Sequence, residues 1–260
     1  MSWSLQRQLI ILLLVTGFFA LTAFILWFIY HPRPSCLDGI KNQDELDVDC
    51  GGACVKVCPA IEVSKPVVLW QKPLFLTGDR YGLAALVENK NNRFGITRLD
   101  YEFKVFAPGQ VLLATVPGST FMNPSESTII YEPNIDLGQS VPNRVIFEIK
   151  DMAWVRVDQP TIIQLVKSQE RFINHQPNPE ARAVIRNDSV VAYNDVVVQV
   201  VLSDANRNVF AVSQTIIDVI EPGEAKDVFF HWPQPFNVAT TTATIIDIYS
   251  RFNTLKRAPF

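Results

Sequence analysis

The chain has 260 residues, a formal net charge of −3 and 48% hydrophobic residues. This length fits one large domain or two small ones, and the hydrophobic content excludes a disordered or collagen-like chain. Only 19% of the residues are charged, and no basic stripe is present to neutralise phosphates. The composition therefore argues against a nucleic-acid-binding protein.

An uncharged apolar segment follows the first eight residues. Residues 9–30 would span about 33 Å as a helix, enough to cross the hydrocarbon core of a bilayer. A cleaved signal peptide would be shorter and would end in small residues, whereas this segment ends in Trp27, Phe28 and Tyr30, which suit a membrane interface. A buried core helix is the other alternative. We predict a cytoplasmic tail at residues 1–8 and one transmembrane helix at residues 9–30, in contact with the lipid bilayer.

All four cysteines lie within 23 residues after this segment, with the spacing C-x13-C-x3-C-x3-C: Cys36, Cys50, Cys54 and Cys58. An even, clustered set predicts a disulfide framework, which persists on the oxidising side of a membrane, so we place the C-terminal body outside the cytoplasm. Three pairings are open. A zinc site is the rival interpretation, but zinc ribbons use paired C-x2-C motifs, which this spacing lacks.

The cysteine segment is also acidic, since five carboxylates stand against two lysines between residues 36 and 58. Closely spaced oxygen donors among turn-forming glycines are what a Ca²⁺ site needs, although the pattern is not an EF-hand loop. The alternative is a solvated acidic loop held by disulfides. The calcium hypothesis names four ligands: Asp38, Asn42, Glu45 and Asp49.

The same residues carry a resemblance. The string C-x-D-G-I-x-N-x-x-E-x-x-x-D-C-G-G-x-C from Cys36 to Cys54 resembles a short cysteine-rich module found between domains of bacterial surface proteins. The resemblance implies an exported surface protein and no enzymatic activity. It covers less than a tenth of the chain, and we assign residues 31–60 to this module.

From residue 60 onward, strand-like runs alternate with Gly, Pro, Asn and Asp clusters, the pattern of β-sandwiches. The segments 85–89 and 183–187, and the Pro-x-Glu motifs at 124 and 222, share one offset of 98 residues. Between them, the segments 99–106 and 196–203 align with a shift of one residue, as a loop deletion would give. We therefore predict an all-β body made of two tandem immunoglobulin-like sandwiches, at residues 61–152 and 153–260.

The order strand, Asn, turn, strand, polar turn, strand, Pro-x-Glu, strand resembles the late-embryogenesis-abundant, water-stress type domains and the FxLYD-like domains of bacteria. Both are immunoglobulin-like sandwiches without shared catalytic residues. The residues that recur in both copies also have a physical explanation. Asn89 and Asn187 suit turn entry because an Asn side chain can bond the backbone two residues on, and Pro222-Gly223 suits a type II turn.

No catalytic motif is recognisable, and the three histidines, His31, His175 and His231, have no neighbours at ligand or triad spacing. We predict no catalytic residues and no cofactor beyond the hypothetical Ca²⁺. Two aromatic groups are expected mainly in the sandwich cores, and if exposed they would favour a protein or glycan partner. They comprise Phe229, Phe230, Trp232 and Phe236 in the second copy, and Trp70, Phe75 and Tyr81 in the first.

These observations favour a membrane-anchored extracytoplasmic protein for binding, adhesion or scaffolding. The alternative is an accessory subunit of a membrane-bound cell-envelope complex, whose helix packs against partner helices. Small residues that could form such a helix contact recur at near-helical spacing: Thr16, Gly17, Ala20 and Ala23.

Overall fold

The computed structural model describes residues 3–30, 35–56, 58, 63–159, 161–175, 177–236 and 244–257. The chain divides after Cys54 into two compact units. In the first unit, helix α1 (Trp3–Tyr30) contains an 18-residue stretch, Ile10–Trp27, that is long and apolar enough to cross a membrane, and none of it is buried. The helix thus begins inside the predicted tail, because residues 3–8 contain no helix breaker.

Twelve strands form in the described part of the second unit. Their bounds are β1 Val67–Thr77, β2 Arg80–Glu88, β3 Phe94–Phe106, β4 Leu112–Met122, β5 Ser127–Asp136, β6 Arg144–Arg156, β7 Leu165–Ile173, β8 Glu180–Asn187, β9 Tyr193–Ser203, β10 Val209–Ile220, β11 Ala225–His231 and β12 Ile245–Arg251. They pair, all antiparallel, into four three-stranded sheets of order β1-β2-β5, β4-β3-β6, β11-β8-β7 and β10-β9-β12. The all-β prediction is confirmed.

Each copy of the repeat closes two of these sheets around its own core. Strand β3 alternates between buried and more exposed residues, with Leu99 and Phe103 fully buried between the sheets of the first sandwich. Strand β9 is buried on both faces, because it is the centre of a sheet that is covered on both sides. The predicted boundary between residues 152 and 153 falls inside β6, which continues to Arg156 because Trp154 and Val155 still pair with β3.

The two sandwiches pack on each other face to face. Sheet β1-β2-β5 of the first contacts sheet β10-β9-β12 of the second through a separate apolar layer of Leu74, Ala84, Ile129, Val201 and Val212. The order of layers is therefore β4-β3-β6, β1-β2-β5, β10-β9-β12 and β11-β8-β7. Since β10-β9-β12 is the second-copy equivalent of β4-β3-β6, unlike faces of the two copies meet, and the stack is head to tail.

Candidate functional site

The cysteine module is held by two disulfides. Cys36 bonds to Cys54, and Cys50 and Cys58 are also disulfide-bonded, which leaves them as each other's partner because no cysteine is free. Cys36, Cys54 and Glu45 form the one cluster of His, Cys, Asp or Glu ligand atoms within the described residues that is tight enough for a metal ion. Both sulfurs are oxidised, so they are not thiolate ligands, and the zinc interpretation fails.

The carboxylates of the calcium hypothesis accept hydrogen bonds from the backbone of their own loop. Asp38 accepts bonds from the backbone N–H of Ser35 at 3.1 Å and of Ile40 at 2.9 Å, and from Asn42 Nδ2 at 2.8 Å. These donors, the Asn42 side chain first, lower the pKa of Asp38. Asp49 accepts both of its bonds, at 3.0 and 3.1 Å, from the backbone N–H of Gly39.

Glu45 is the buried member of this group, with 6% of its surface exposed. Its Oε2 accepts bonds from the backbone N–H of Asn42 and Asp49, both at 3.2 Å, and its Oε1 lies 3.2 Å from Cys54 Sγ. Among the four residues of the calcium hypothesis, Asn42 differs in that its Oδ1 is buried and accepts no hydrogen bond from the described residues. The three carboxylates do not gather within ligand distance of one another, and they act as internal ties of the loop.

We expect added Ca²⁺ or a chelator to leave the thermal unfolding midpoint of the protein unchanged. The reason is that carboxylates already occupied by backbone N–H groups would have to give up those bonds to bind an ion. If a Ca²⁺ site existed, Ca²⁺ at 100 times its dissociation constant would raise the free energy of unfolding by about 2.7 kcal/mol. Scanning calorimetry in millimolar Ca²⁺ and in EDTA checks this, and a higher midpoint in Ca²⁺ would restore the calcium hypothesis.

Within the described residues, no cluster of metal-ligating side chains includes a histidine. His231 Nδ1 lies 3.8 Å from Glu180 Oε2 at an exposed position of β11, and His31 lies outside the described residues. Of the predicted aromatic core residues, Trp232 and Phe230 are buried in the second sandwich, but Phe229 is 49% exposed. Phe75 of the first copy is exposed as well, at 47%.

The most concentrated polar chemistry lies where the two sandwiches meet. Arg251, the last residue of β12, is 5% exposed, and its Nε lies 3.0 Å from Glu126 Oε1. Its Nη1 donates to Thr128 Oγ1 at 3.1 Å, its Nη2 donates to the carbonyl of Phe121, and its guanidinium lies 3.9 Å from the centroid of the Phe121 ring. Burial lowers the pKa of Arg251 and raises the pKa of Glu126, because each charge is removed from water.

A second polar contact crosses the same junction. Gln199 of β9 is 3% exposed, and its Nε2 donates to the carbonyl of Ile129 at 2.7 Å. Its Oε1 accepts from the backbone N–H of Ile129 at 3.3 Å. These bonds satisfy both backbone groups of Ile129 at the edge of β5. Lys72 Nζ adds a third contact, a 2.8 Å bond to the carbonyl of Val209.

A groove of about 480 Å³ opens beside the buried ion pair. Its walls come from the start of β5, the segment between β6 and β7, and the end of β12, and they are rich in hydroxyl groups, including those of Ser127, Thr161 and Ser250. The charged pair lies in its lining. The pair completes its own charge balance, so the described lining residues offer hydrogen-bonding hydroxyls and, among themselves, no free charge or nucleophile-base pair.

Sequence reasoning missed this junction. Gln199 stands alone in the apolar run of residues 196–202, and that isolation is a signal that could have drawn attention to it. Arg251 follows Asp247 and Ser250 in β12, so its strand gives no such signal. A polar residue in a buried strand must find a partner. The partners of Arg251, however, lie 123 to 130 residues away in the sequence, and no local pattern identifies them.

Comparisons with known proteins are sparse. No family model matches the chain, and no curated protein matches it. Among solved structures, it is similar to the crystal structure of red sea bream transglutaminase, with 11% identity and a TM-score of 0.23, over 72% of this chain and 29% of that chain. The chain thus spans less than a third of the transglutaminase chain, and this likeness carries no argument about activity.

Proposed function

We propose that this protein is a single-pass membrane protein whose rigid double sandwich serves as a non-catalytic binding or scaffolding body outside the cytoplasm. The observation that carries the proposal is the packing of the two sandwiches. They share an apolar layer, a buried ion pair and the Gln199 bridge, so they support one fixed surface where a flexible pair of domains would not.

The N-terminal helix supports the membrane anchor. Its Ile10–Trp27 stretch is apolar on every side and none of it is buried by the rest of the chain. A helix of this kind is stable in hydrocarbon, because in water it would expose a large apolar surface. The two disulfides support an oxidising compartment for the part of the chain that lies C-terminal to the helix.

Protease protection tests the anchor and its orientation together. Intact spheroplasts that express the chain with different epitope tags at its two ends should lose the C-terminal tag and keep the N-terminal tag. Permeabilised spheroplasts should lose both, which is the matched control. Mass determination of the mature chain detects a cleaved signal sequence. A protected C-terminal tag, or a mature chain that begins after residue 30, would overturn the proposal.

The alternative is an accessory subunit whose helix packs against partner helices through the small residues around Gly17 and Ala20. A side chain added at Gly17 would meet no atom of this chain within 4 Å, so Gly17→Leu should leave the isolated helix intact. We expect Gly17→Leu/Ala20→Leu to leave co-purification from mild detergent unchanged. Val15→Phe is the control, because Val15 lies about 160° around the helix from Gly17 and about 140° from Ala20. Loss of a partner in the first variant alone would favour the accessory subunit.

A further inference from the structure

The outer face of sheet β11-β8-β7 contains two arginines that stand directly opposite each other. Arg171 of β7 pairs with Arg182 of β8, and Arg182 pairs on its other side with Phe229 of β11. Directly opposed residues of antiparallel strands point to the same face, so these three side chains form one row across the sheet. We call Arg171, Arg182 and Phe229 the arginine row.

A β-bulge creates this row. Ser168 pairs with Val184, and a regular ladder would then place Glu170 opposite Arg182 as a cross-strand ion pair. The register instead shifts between Ser168 and Arg171, with Gln169 in the left-handed region at a φ of 55°. The shift turns Phe172 inward to contact the aromatic rings of the second core, and it leaves two like charges opposed on the surface.

Among the described residues, no hydrogen bond or ion pair neutralises the guanidinium of Arg171 or of Arg182, and both side chains are exposed. The opposite outer face, on sheet β4-β3-β6, is different. There Lys104 lies 2.9 Å from Glu148, and Lys150 lies 3.2 Å from Glu102. One outer face is thus a closed network of ion pairs, and the other holds two like charges directly opposed on neighbouring strands, an arrangement that destabilises a sheet.

Apolar surface surrounds the arginine row. Phe229 is 49% exposed, Val166 is 42% exposed and Ile173 is 36% exposed. The pairing of the three strands places all three side chains on the outer face. Exposed aromatic and aliphatic groups around arginines have the composition of protein-protein interfaces, in which aromatic residues and Arg are enriched and often dominate the binding energy.

We propose that this face docks a partner protein through an acidic segment, whose carboxylates pair with Arg171 and Arg182 while an apolar side chain packs on Phe229. The inference rests on the binding role proposed above and names the chemistry of the partner. Arginine suits this task because its planar guanidinium binds a carboxylate through two parallel bonds.

The other charges on the face select a protein over a polyanionic glycan. Asp227 and Glu180 lie on the same outer surface as the arginine row, since they pair with Val184 and His231 across the sheet. A uniformly anionic polymer would be repelled by these two carboxylates. A protein segment can place its acidic residues against the arginines and uncharged residues against Asp227 and Glu180.

Site-specific photocrosslinking tests this inference. The full-length chain, expressed in its native membrane with p-benzoyl-phenylalanine in place of Phe229, is illuminated, and the adducts are mapped by mass spectrometry. We expect one protein adduct whose attached peptide carries at least two carboxylates close to the crosslinked residue. Arg171→Ala/Arg182→Ala should lower its yield by about tenfold or more, because each lost charge-assisted contact is worth roughly tenfold in affinity.

The matched control is Lys104→Ala/Lys150→Ala, which removes the same two positive charges from the opposite face and should leave the yield unchanged. Equal loss in both variants, an adduct on a lipid or a glycan, or no adduct at position 229 would overturn the inference. A second probe, with p-benzoyl-phenylalanine in place of Val141, which is 68% exposed on the first sandwich, distinguishes failure of this inference from failure of the proposed binding role. Protein adducts at position 141 but not at position 229 would reject the inference and leave the binding role intact. No protein adduct at either position would reject both.

Discussion

Replacing Arg251 by methionine is expected to lower the free energy of unfolding by about 3–5 kcal/mol, because it leaves the Glu126 carboxylate buried without a counter-charge. Glu126 is itself nearly enclosed, with 10% of its side chain exposed, and its Oε2 also accepts a 2.6 Å bond from the backbone N–H of Asn123. Guanidinium unfolding of the detergent-solubilised chain, followed by tryptophan fluorescence, measures the loss.

The size of this loss should depend on pH in a defined direction. Burial raises the pKa of Glu126 in the folded protein even beside Arg251, and without Arg251 the pKa rises further. A carboxyl group with a raised folded pKa contributes stability at low pH and loses it as the pH rises through that value. The difference between wild type and Arg251→Met should therefore widen as the pH rises through and above the usual titration range of a carboxyl group.

A double variant distinguishes the buried charge from lost packing. Arg251→Met/Glu126→Gln removes both charges, so it should recover much of the stability and lose the pH dependence. Arg186→Ala, which breaks an exposed ion pair with Asp188, should cost less than about 1 kcal/mol. A loss in Arg251→Met that is constant with pH and persists in the double variant would show that packing, and not charge, holds the junction.

The fold was predictable from sequence where its cause is local. The alternation in β3 and the continuous apolar run of β9 follow from the residues nearby, and the structure places the Asn and Pro-x-Glu turns as expected. The contact between the sandwiches was not predictable in the same way. It depends on side chains that reach across 70 residues or more, such as Gln199 to Ile129, and no spacing rule describes such pairs.

The candidate site shows the same division. The cysteine spacing correctly predicted disulfides, whereas the closely spaced carboxylates, from which the sequence predicts a Ca²⁺ site, accept hydrogen bonds from backbone N–H groups. Composition cannot separate these two uses of a carboxylate, because both need the same residues among turns. The opposition of Arg171 and Arg182 was also hidden, because a regular ladder continued from Ser168 would place Glu170 opposite Arg182 and only the bulge changes the partner.

Divergence between the two copies makes their outer faces different from the faces that meet at the junction. Ile129 lies in the internal contact layer, and its equivalent on the free outer face of the second copy is Asp227. Val201 lies in the same layer, and its equivalent on the outer face of the first copy is Lys104. A third sandwich could stack only by burying these charges, which is the polar capping that repeat arrays use at their ends.

Asn89 and Asn187 perform the same task in the two copies. Asn89 is fully buried, and its Nδ2 donates to the carbonyls of Phe94 at 2.8 Å and Asn123 at 3.0 Å. Its Oδ1 accepts from the backbone N–H of Asn91 at 3.1 Å, two residues on, as the turn prediction requires. One side chain thus ties the end of β2 to the start of β3 and the end of β4.

Asn187 repeats this pattern with closely matching geometry. It is also fully buried, and its Nδ2 donates to the carbonyls of Val191 at 2.8 Å and Ile220 at 3.0 Å. Its Oδ1 accepts from the backbone N–H of Ser189 at 3.0 Å. The first bond spans four residues here and five in the first copy, which places the one-residue deletion in the turn after the Asn.

Asn89→Ala and Asn187→Ala should each lower the free energy of unfolding by about 3 kcal/mol, because each leaves two buried carbonyls without their donor. The two sandwiches share the buried junction, so each variant should shift one common transition. Trp154 in the first sandwich and Trp232 in the second report the unfolding of their own sandwich by fluorescence, when each is kept as the sole tryptophan.

The control is Asn206→Ala, at an exposed hairpin position, which should change the free energy of unfolding by no more than about 0.5 kcal/mol. If Asn187→Ala moved the Trp232 transition and left the Trp154 transition in place, the sandwiches would unfold independently, and the double sandwich would not be one rigid body.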